Sequence, residues 1–350
     1  MTDLVIRTPD DMHVHLREAD MLRSVVGHTS DVFARALVMP NTAKPVLDGH
    51  DVAAYRHSIV RAVVNRAAEP SVPVFEPLMS VKLVRSTTPD VLSGARLAGA
   101  VAAKFYPEGV TTNSEDGVAD IRELEPALAA MERLDMVLCL HGEVPGVFCM
   151  DREAAFLESL RWVSSSFPKL RVVLEHVTTA AAVDEVLRLP GNVAATITAH
   201  HLFHTLDDVV GGMLSPHAFC KPIAKTPKDR EVLRAAATSG DPKFFFGSDS
   251  APHGRQRKEC SSGCAGVFSA PCALEALAIA FEEEYALHRL EQFVSAFGAW
   301  FYGLPLNDGT VTLSRLERKI GDEDSSGVVP LFAGRIIPWS VTSNRYGSTL

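Results

Sequence analysis

The feature that most constrains this chain is a series of short apolar, β-branched runs separated by helix-like stretches. Runs lie at 33–39 (FARALVM), 72–79 (VPVFEPLM), 100–106 (AVAAKFY), 136–141 (MVLCLH), 171–177 (RVVLEHV), 193–199 (VAATITA) and 244–249 (FFFGSD), and an opening MHVHL makes eight. They lack clean alternation, as parallel strands do when both faces are covered. The segments 51–67, 90–98, 118–134, 151–166, 179–188, 228–238 and 272–286 are long enough for helices and rich in Ala, Leu, Arg and Glu. Several begin after Asp, Thr or Ser, which suits an N-cap. Eight strands alternating with helices predict an α/β fold of the (β/α)8 TIM barrel type. An open doubly wound sheet is the weaker alternative, because no GxGxxG follows an early strand.

The length of 350 residues with 47% hydrophobic content suits one such barrel with additions. The strand–helix pattern lapses after Pro305, so a single domain is expected, with the barrel over about 4–304 and an appended C-terminal segment over 305–350. A net charge of −9 without a long block of like charge argues against nucleic-acid and membrane-surface partners. MTDLVIRTPDD does not resemble a leader, and no apolar run reaches the roughly 18 residues of a membrane span, so a cytoplasmic protein is expected. The cysteines at 139, 149, 220, 260, 264 and 272 form no CxxC pair, and reduced thiols are expected. Cys260 and Cys264 are close enough for a metal clip, but Cys272 and His253 do not complete a familiar zinc spacing.

Barrel enzymes place their chemistry at the C-terminal ends of the strands, and the notable polar residues of this sequence fall there. His13 and His15 end the first run, Lys104 lies in the fourth, His141 ends the fifth, His176 the sixth and Asp249 the eighth. In extended chain, His13 and His15 share a face and can grip one ion. Each residue alone has an ordinary reading. A histidine can be hydrogen-bonded in a core, an aspartate can cap a helix, and a lysine can snorkel to the surface. Four histidines, an aspartate and a lysine at matching strand ends favour a metal site, since imidazole and carboxylate are typical ligands for zinc-like ions. A protonated Lys104 would repel such ions, whereas a buried neutral amine can take up carbon dioxide as an anionic carbamate. The residues permit that modification without requiring it.

The motifs HxHxR, MPN, KFYPxG, HGE, EHxTT and GSDSAPH, in this order over about residues 4–340, resemble those of the amidohydrolase superfamily. Within it the sequence is similar to the short, monofunctional dihydroorotase family. The resemblance implies a zinc ion bound by His13, His15 and Asp249, and a second bound by His141 and His176. N6-carboxylated Lys104 and a hydroxide would bridge the two. It assigns Arg17 and Asn41 to a substrate carboxylate, places His253 and the Ala265 backbone beside that carboxylate, and turns the Lys221 backbone toward a pyrimidine ring. Lys221 itself departs from the apolar residue expected of bacterial members, and CKPIAK and AHHLFHTLDD look more like the version in fungi and other lower eukaryotes.

The implied reaction is reversible ring closure of N-carbamoyl-L-aspartate to dihydroorotate, with the hydroxide as nucleophile and Asp249 as general base and acid. The implied assembly is a homodimer. TTNSEDGV at 111–118 offers Thr111 and Thr112 as ligand-facing hydroxyls of a lid, against the alternative of an inert polar loop. A hydantoinase would have no need for the Arg17 and Asn41 clamp, and a catalytically dead scaffold on the same barrel should have lost ligands.

Overall fold

The structure is a computed structural model that describes residues 3–66, 75–111 and 113–343. Strand β1 (Asp3–Arg7) stands apart from a parallel sheet of eight strands that runs in sequence order: β2 (Asp10–Val14), β3 (Arg35–Val38), β4 (Glu76–Lys82), β5 (Ala100–Phe105), β6 (Val137–Leu140), β7 (Val172–Leu174), β8 (Val193–Ile197) and β9 (Phe244–Phe246). Each matches one of the predicted runs, although residues 72–74 of the third lie outside the described residues. The sheet closes where Val14 bridges Ser250 in parallel, with Asp249 N donating to His13 O at 2.8 Å and His15 N to Ser250 O at 3.1 Å.

Helices α1 (Ala19–Ser30), α2 (Gly49–Val64), α3 (Pro89–Leu97), α4 (Glu125–Leu134), α5 (Arg152–Ser166) and α6 (Ala180–Arg188) alternate with the strands as far as β8. Between β8 and β9 come α7 (Leu206–Val210) and α8 (Pro227–Thr238), and after β9 come α9 (Arg255–Lys258), α10 (Ala273–Glu283) and α11 (Phe297–Tyr302). Asp48, Thr88, Thr179 and Thr226 cap their helices by accepting from a backbone N–H three residues on. The stretch expected as one helix over 118–134 is split into a short 3-10 turn at Ile121–Leu124 followed by α4, because Pro126 is accommodated only in a first helical turn.

Inside the barrel, Met12, Leu37, Leu78, Ala102, Val137, Val173, Ala194 and Phe245, one from each strand, pack together with Phe297 and Tyr302. The alternate strand residues, such as Ala36, Val38, Ala103, Leu138 and Val172, face the helices in a second and larger cluster. Both strand faces are therefore apolar, which is why the runs look continuous in sequence. Removing an interior aromatic such as Phe245 would cost about 3–5 kcal/mol. Buried Arg35 holds Asp10 through two hydrogen bonds at 2.9 and 2.6 Å, so the charged pair at the N-terminal ends of β2 and β3 is mutually satisfied.

The C-terminal segment returns to the start of the chain. β10 (Thr310–Ser314) lies antiparallel between β1 and β13 (Ser340–Ser343), and β11 (Arg318–Lys319) pairs with β12 (Ile336–Ile337). Trp339 Nε1 donates to Glu282 at 3.1 Å and pins this segment to α10. Among the described residues, no helix is long and apolar enough to cross a membrane.

Candidate active site

Inward positions of the barrel strands repeat every second residue. From Ala102 the next inward residue on β5 is Lys104, and from Cys139 on β6 the alternation reaches His141. The two ends that meet at the closing seam are less regular. The β2 ladder shifts register between Asp11 and Val14, and β9 gives way to a segment in which Asp249 takes a left-handed backbone (φ 42°). His176 (φ 42°) and Arg17 (φ 60°) are left-handed as well. Such conformations are unfavourable for residues with side chains, and surrounding structure must hold them in place. The strand ends at Val14, and Arg17 turns on its own backbone.

The ligand atoms of His13, His15 and Asp249 all lie within 4.8 Å of one another. Asp249 Oδ1 is 3.0 Å from His15 Nε2 and 3.4 Å from His13 Nε2. The His13 ring lies 5.1 Å from that of His176, which lies 4.8 Å from that of His141. Burial holds the His15 imidazole down to about 4 and pushes the His141 and His176 imidazoles below their ordinary value. Burial opposes the charge of Asp249, but the His15 hydrogen bond and the nearby His13, His176 and His15 rings together keep its carboxyl well below the usual range. Burial thus favours the neutral form of His15, His141 and His176, the form in which an imidazole nitrogen can bind a cation.

Lys104 is fully buried, and its Nζ has no hydrogen-bond partner among the described residues. Burial lowers its pKa, which favours the free amine. His176 Nδ1 is likewise buried without a partner. Unpaired buried polar atoms are costly, and a cluster of them beside a carboxylate fits residues meant to meet a cation and an added carboxyl group.

Two carboxylates missing from the sequence reading of ligands sit behind these rings. Glu175 Oε2 is 2.8 Å from His13 Nδ1 and accepts from Thr196 Oγ1 at 2.6 Å, while Glu143 Oε2 is 2.7 Å from His141 Nε2. Carboxylates in this position fix the ring orientation and the tautomer. Both were visible as letters inside EHxTT and HGE. A charged residue at the end of an otherwise apolar run is the signal that could have found Glu175. Asp11, fully buried, accepts from Ser248 N at 2.8 Å and His13 N at 3.1 Å, and burial raises its carboxyl to about 6.

Beside the cluster, Arg17, Asn41, Thr111, Lys221 and Ala265 line one cleft with His15 and Asp249. His253 lies just behind it: its Nε2 is 2.9 Å from Arg17 NH2, and Arg17 Nε donates to Pro252 O at 3.0 Å. Burial, and then the Arg17 charge, push the His253 imidazole down to about 2, so it is a neutral acceptor for the guanidinium. The fold thus gathers the predicted residues at one mouth, apart from Thr112, which lies outside the described residues. A second buried group, His200, His201 and Cys220, also has ligand atoms within 4.8 Å of one another. His201 is already bonded through Nδ1 to Thr198 at 2.8 Å and through Nε2 to Pro222 O at 3.2 Å, and burial raises the Cys220 thiol to about 12. Cys260 and Cys264 are free thiols.

Histidines at the ends of the first, fifth and sixth barrel strands, an aspartate after the eighth and an inward lysine on the fourth are donor types suited to divalent ions, and with its relatives this chain is of the metal-dependent amidohydrolase class. No protein-family model matches it. Individual relatives are more specific. The chain is 47% identical to a dihydroorotase of Teredinibacter turnerae over 348 residues, covering 97% of this chain and 99% of that one. The crystal structure of a Saccharomyces cerevisiae dihydroorotase in complex with 5-fluoroorotic acid superposes with a TM-score of 0.89 at 36% identity, covering 97% and 98% of the two chains. A Campylobacter jejuni dihydroorotase superposes with a TM-score of 0.87 at 37% identity over 97% of each chain. The chain belongs to the dihydroorotase family and is a hydrolase of a cyclic amide.

Proposed function

We propose that this mouth interconverts N-carbamoyl-L-aspartate and (S)-dihydroorotate in pyrimidine synthesis, with one zinc ion held by His13, His15 and Asp249 and a second by His141 and His176. Lys104, carboxylated on Nζ, would supply an anionic ligand to the pair. The observation that carries this reading is the cleft in which Arg17, Asn41 and Thr111 stand across from His15 and Asp249. The buried, partnerless Lys104 amine supports this role, since adding carbon dioxide and losing a proton turns a repelling cation into an anionic ligand. When bound, the ions would polarise the ring carbonyl and make hydroxide available at neutral pH.

The remaining work falls to side chains of the protein. Arg17 holds the substrate carboxylate with paired hydrogen bonds, and neutral His253, bonded to the same guanidinium, fixes its plane. Asn41 donates a further hydrogen bond to that carboxylate. The backbone at Ala265 lies beside the carboxylate and that at Lys221 faces the ring, so the lysine side chain changes local charge and leaves that contact intact. In the hydrolytic direction Asp249 accepts the proton of the attacking oxygen and returns it to the departing ring nitrogen. Thr111, on the loop after β5, presents its hydroxyl to the substrate. The 5-fluoroorotic acid held by the yeast relative is a pyrimidine carboxylate, which is in keeping with an arginine clamp. The family resemblance alone supports a homodimer acting in the cytoplasm.

Dihydrouracil has the same ring without the carboxylate, and its binding would leave the clamp unpaired. Losing one partner of a charged pair typically costs about 2–5 kcal/mol, so the protein should prefer dihydroorotate by roughly 10²- to 10³-fold or more in kcat/KM. Arg17→Met should erase most of that preference with the metals still bound. A protein that takes both rings equally well would overturn the assignment of Arg17 and the substrate orientation built on it.

A further inference from the structure

A lysine inside the barrel ties down the loop that carries Thr111. Lys82 is the last residue of β4 and pairs in register with Lys104 on β5. Counting inward from Leu78, the alternation reaches Ser80 and then Lys82, so this side chain rises within the mouth and is 0% exposed. It takes no part in the ligand cluster. Its ammonium donates to the main-chain oxygen of Asn113 at 2.7 Å and to the carboxylate of Asp116.

The same short segment is braced from the other side. Asn113, left-handed at φ 54°, donates through Nδ2 to Asn41 O at 3.0 Å. Ser114 Oγ accepts from Thr111 N at 2.9 Å and donates to Thr111 O at 2.6 Å. At the end of the loop a Cβ on Gly117 would come 2.5 Å from the Tyr106 carbonyl, so the backbone lies directly on the end of β5. Thr111, the residue these bonds hold, lines the cleft with Arg17 and Asp249.

A buried ammonium is favourable only while it is paired. If the loop lifts, Lys82 loses both its acceptors inside the barrel, whereas Asp116, 49% exposed, merely returns to water. The penalty for opening therefore sits on the barrel side. We propose that Lys82 and Asp116 are positioning residues for the reaction: a charge pair that holds the segment from Asn113 to Gly117 down at the cleft and so keeps Thr111 against the substrate. This rests on the placement of Thr111 on the substrate side.

The test uses the metal-loaded protein. Asp116→Ala, a change at a half-exposed position, and Lys82→Met should each raise KM for dihydroorotate on the order of ten-fold, less than for a fully buried pair, with kcat changed less and metal content unchanged. Asp116→Glu should recover most of the loss. Amide hydrogen exchange over 109–118 should speed up in Asp116→Ala while the barrel strands keep their protection. Unchanged exchange and KM in Asp116→Ala would overturn the proposal, even if Lys82→Met proved unstable. Thr111→Ala, measured alongside, separates the two ways of failing. If it raises KM and Asp116→Ala does not, the charge pair is not what positions the loop. If Thr111→Ala itself leaves KM unchanged, the placement of Thr111 against substrate has failed, and the positioning role with it.

Discussion

Glu175 offers a quantitative test of how the protein tunes its metal ligands. Its Oε2 receives two hydrogen bonds, from His13 Nδ1 at 2.8 Å and from Thr196 Oγ1 at 2.6 Å. Thr196 Oγ1 in turn accepts from His176 N at 2.7 Å, so its own proton is committed to Glu175. Oε1 is buried without a hydrogen-bond partner among the described residues, so a glutamine NH2 in its place displaces no hydrogen bond. Glu175→Gln therefore keeps the shape and the acceptor and removes the charge. A hydrogen bond to a charged group is worth about 1.5–3 kcal/mol and a neutral one about 0.5–1.5. The loss per bond is thus about 1 kcal/mol, and about 2 kcal/mol for the pair. A loss of that size corresponds to a weakening of metal binding within the roughly 10- to 100-fold range typical when the carboxylate behind a ligating histidine is removed. Zinc affinity measured by competition with a chromogenic chelator reads this directly. Turnover at saturating zinc should fall far less than affinity. Glu175→Ala should be worse than Gln, because it also leaves the His13 ring without its acceptor. Zinc binding by Glu175→Gln within about two-fold of the parent would refute the reasoning.

Lys104→Ala should lose most bound metal and activity, and depletion of carbon dioxide during metal reconstitution should mimic it; two metals per chain with near-normal turnover in the alanine variant would rule out the bridge. Asp249→Asn should bind substrate yet turn over about 10²- to 10⁴-fold more slowly, the usual worth of a positioned base, and retention of more than about a tenth of the parent rate would remove Asp249 from that role. Acid should destabilise the metal-free protein in a defined window. The His15 imidazole is lowered from 6.5 to about 4, so between those values the unfolded chain binds a proton that the folded protein does not, and stability falls as pH drops through the window. Thermal melts of chelator-treated protein at a series of pH values should show this loss, and His15→Gln should lessen it without abolishing it, because the His141 and His176 imidazoles are also lowered by burial.

Barrel architecture was legible because parallel strands covered on both sides keep one composition from end to end, and because the strand ends announce themselves by a sudden polar residue. The helix α1 was not legible. It starts after Glu18, which makes no side-chain cap, and it carries a buried glycine and a threonine near its end. Strand β1 escaped for a different reason. DLVIR pairs with Thr310–Ser314, and no local pattern encodes a partner about three hundred residues away. The short helices α7 and α9 within the long segments 200–227 and 250–271 are held mainly by their surroundings. At the site, His13, His15, Lys104, His141, His176 and Asp249 could be picked out because a metal demands those residue types. Glu143 and Lys82 could not, since their significance lies in what they touch; for Glu175 the signal was a charge at the end of an apolar run. The inward direction of Lys82 follows from counting along β4 only once the strand's limits are known.

The seam at which the barrel closes sets an order of events for the growing chain. His15 and Asp249 are separated by 234 residues, and the contact between them lies between the first barrel strand and the segment just after the last. A ribosome that has released only the first seven barrel strands exposes a chain with histidines but without Asp249. The neighbouring wall of the cleft, at Ala251, Ala265 and Gly266, arrives later still. A cation held by His13, His15 and Asp249 would therefore link the first barrel strand to the segment after the last, with its full ligand set assembled only once that segment is in place. Ions taken up earlier by the nascent chain would meet only part of their ligand set.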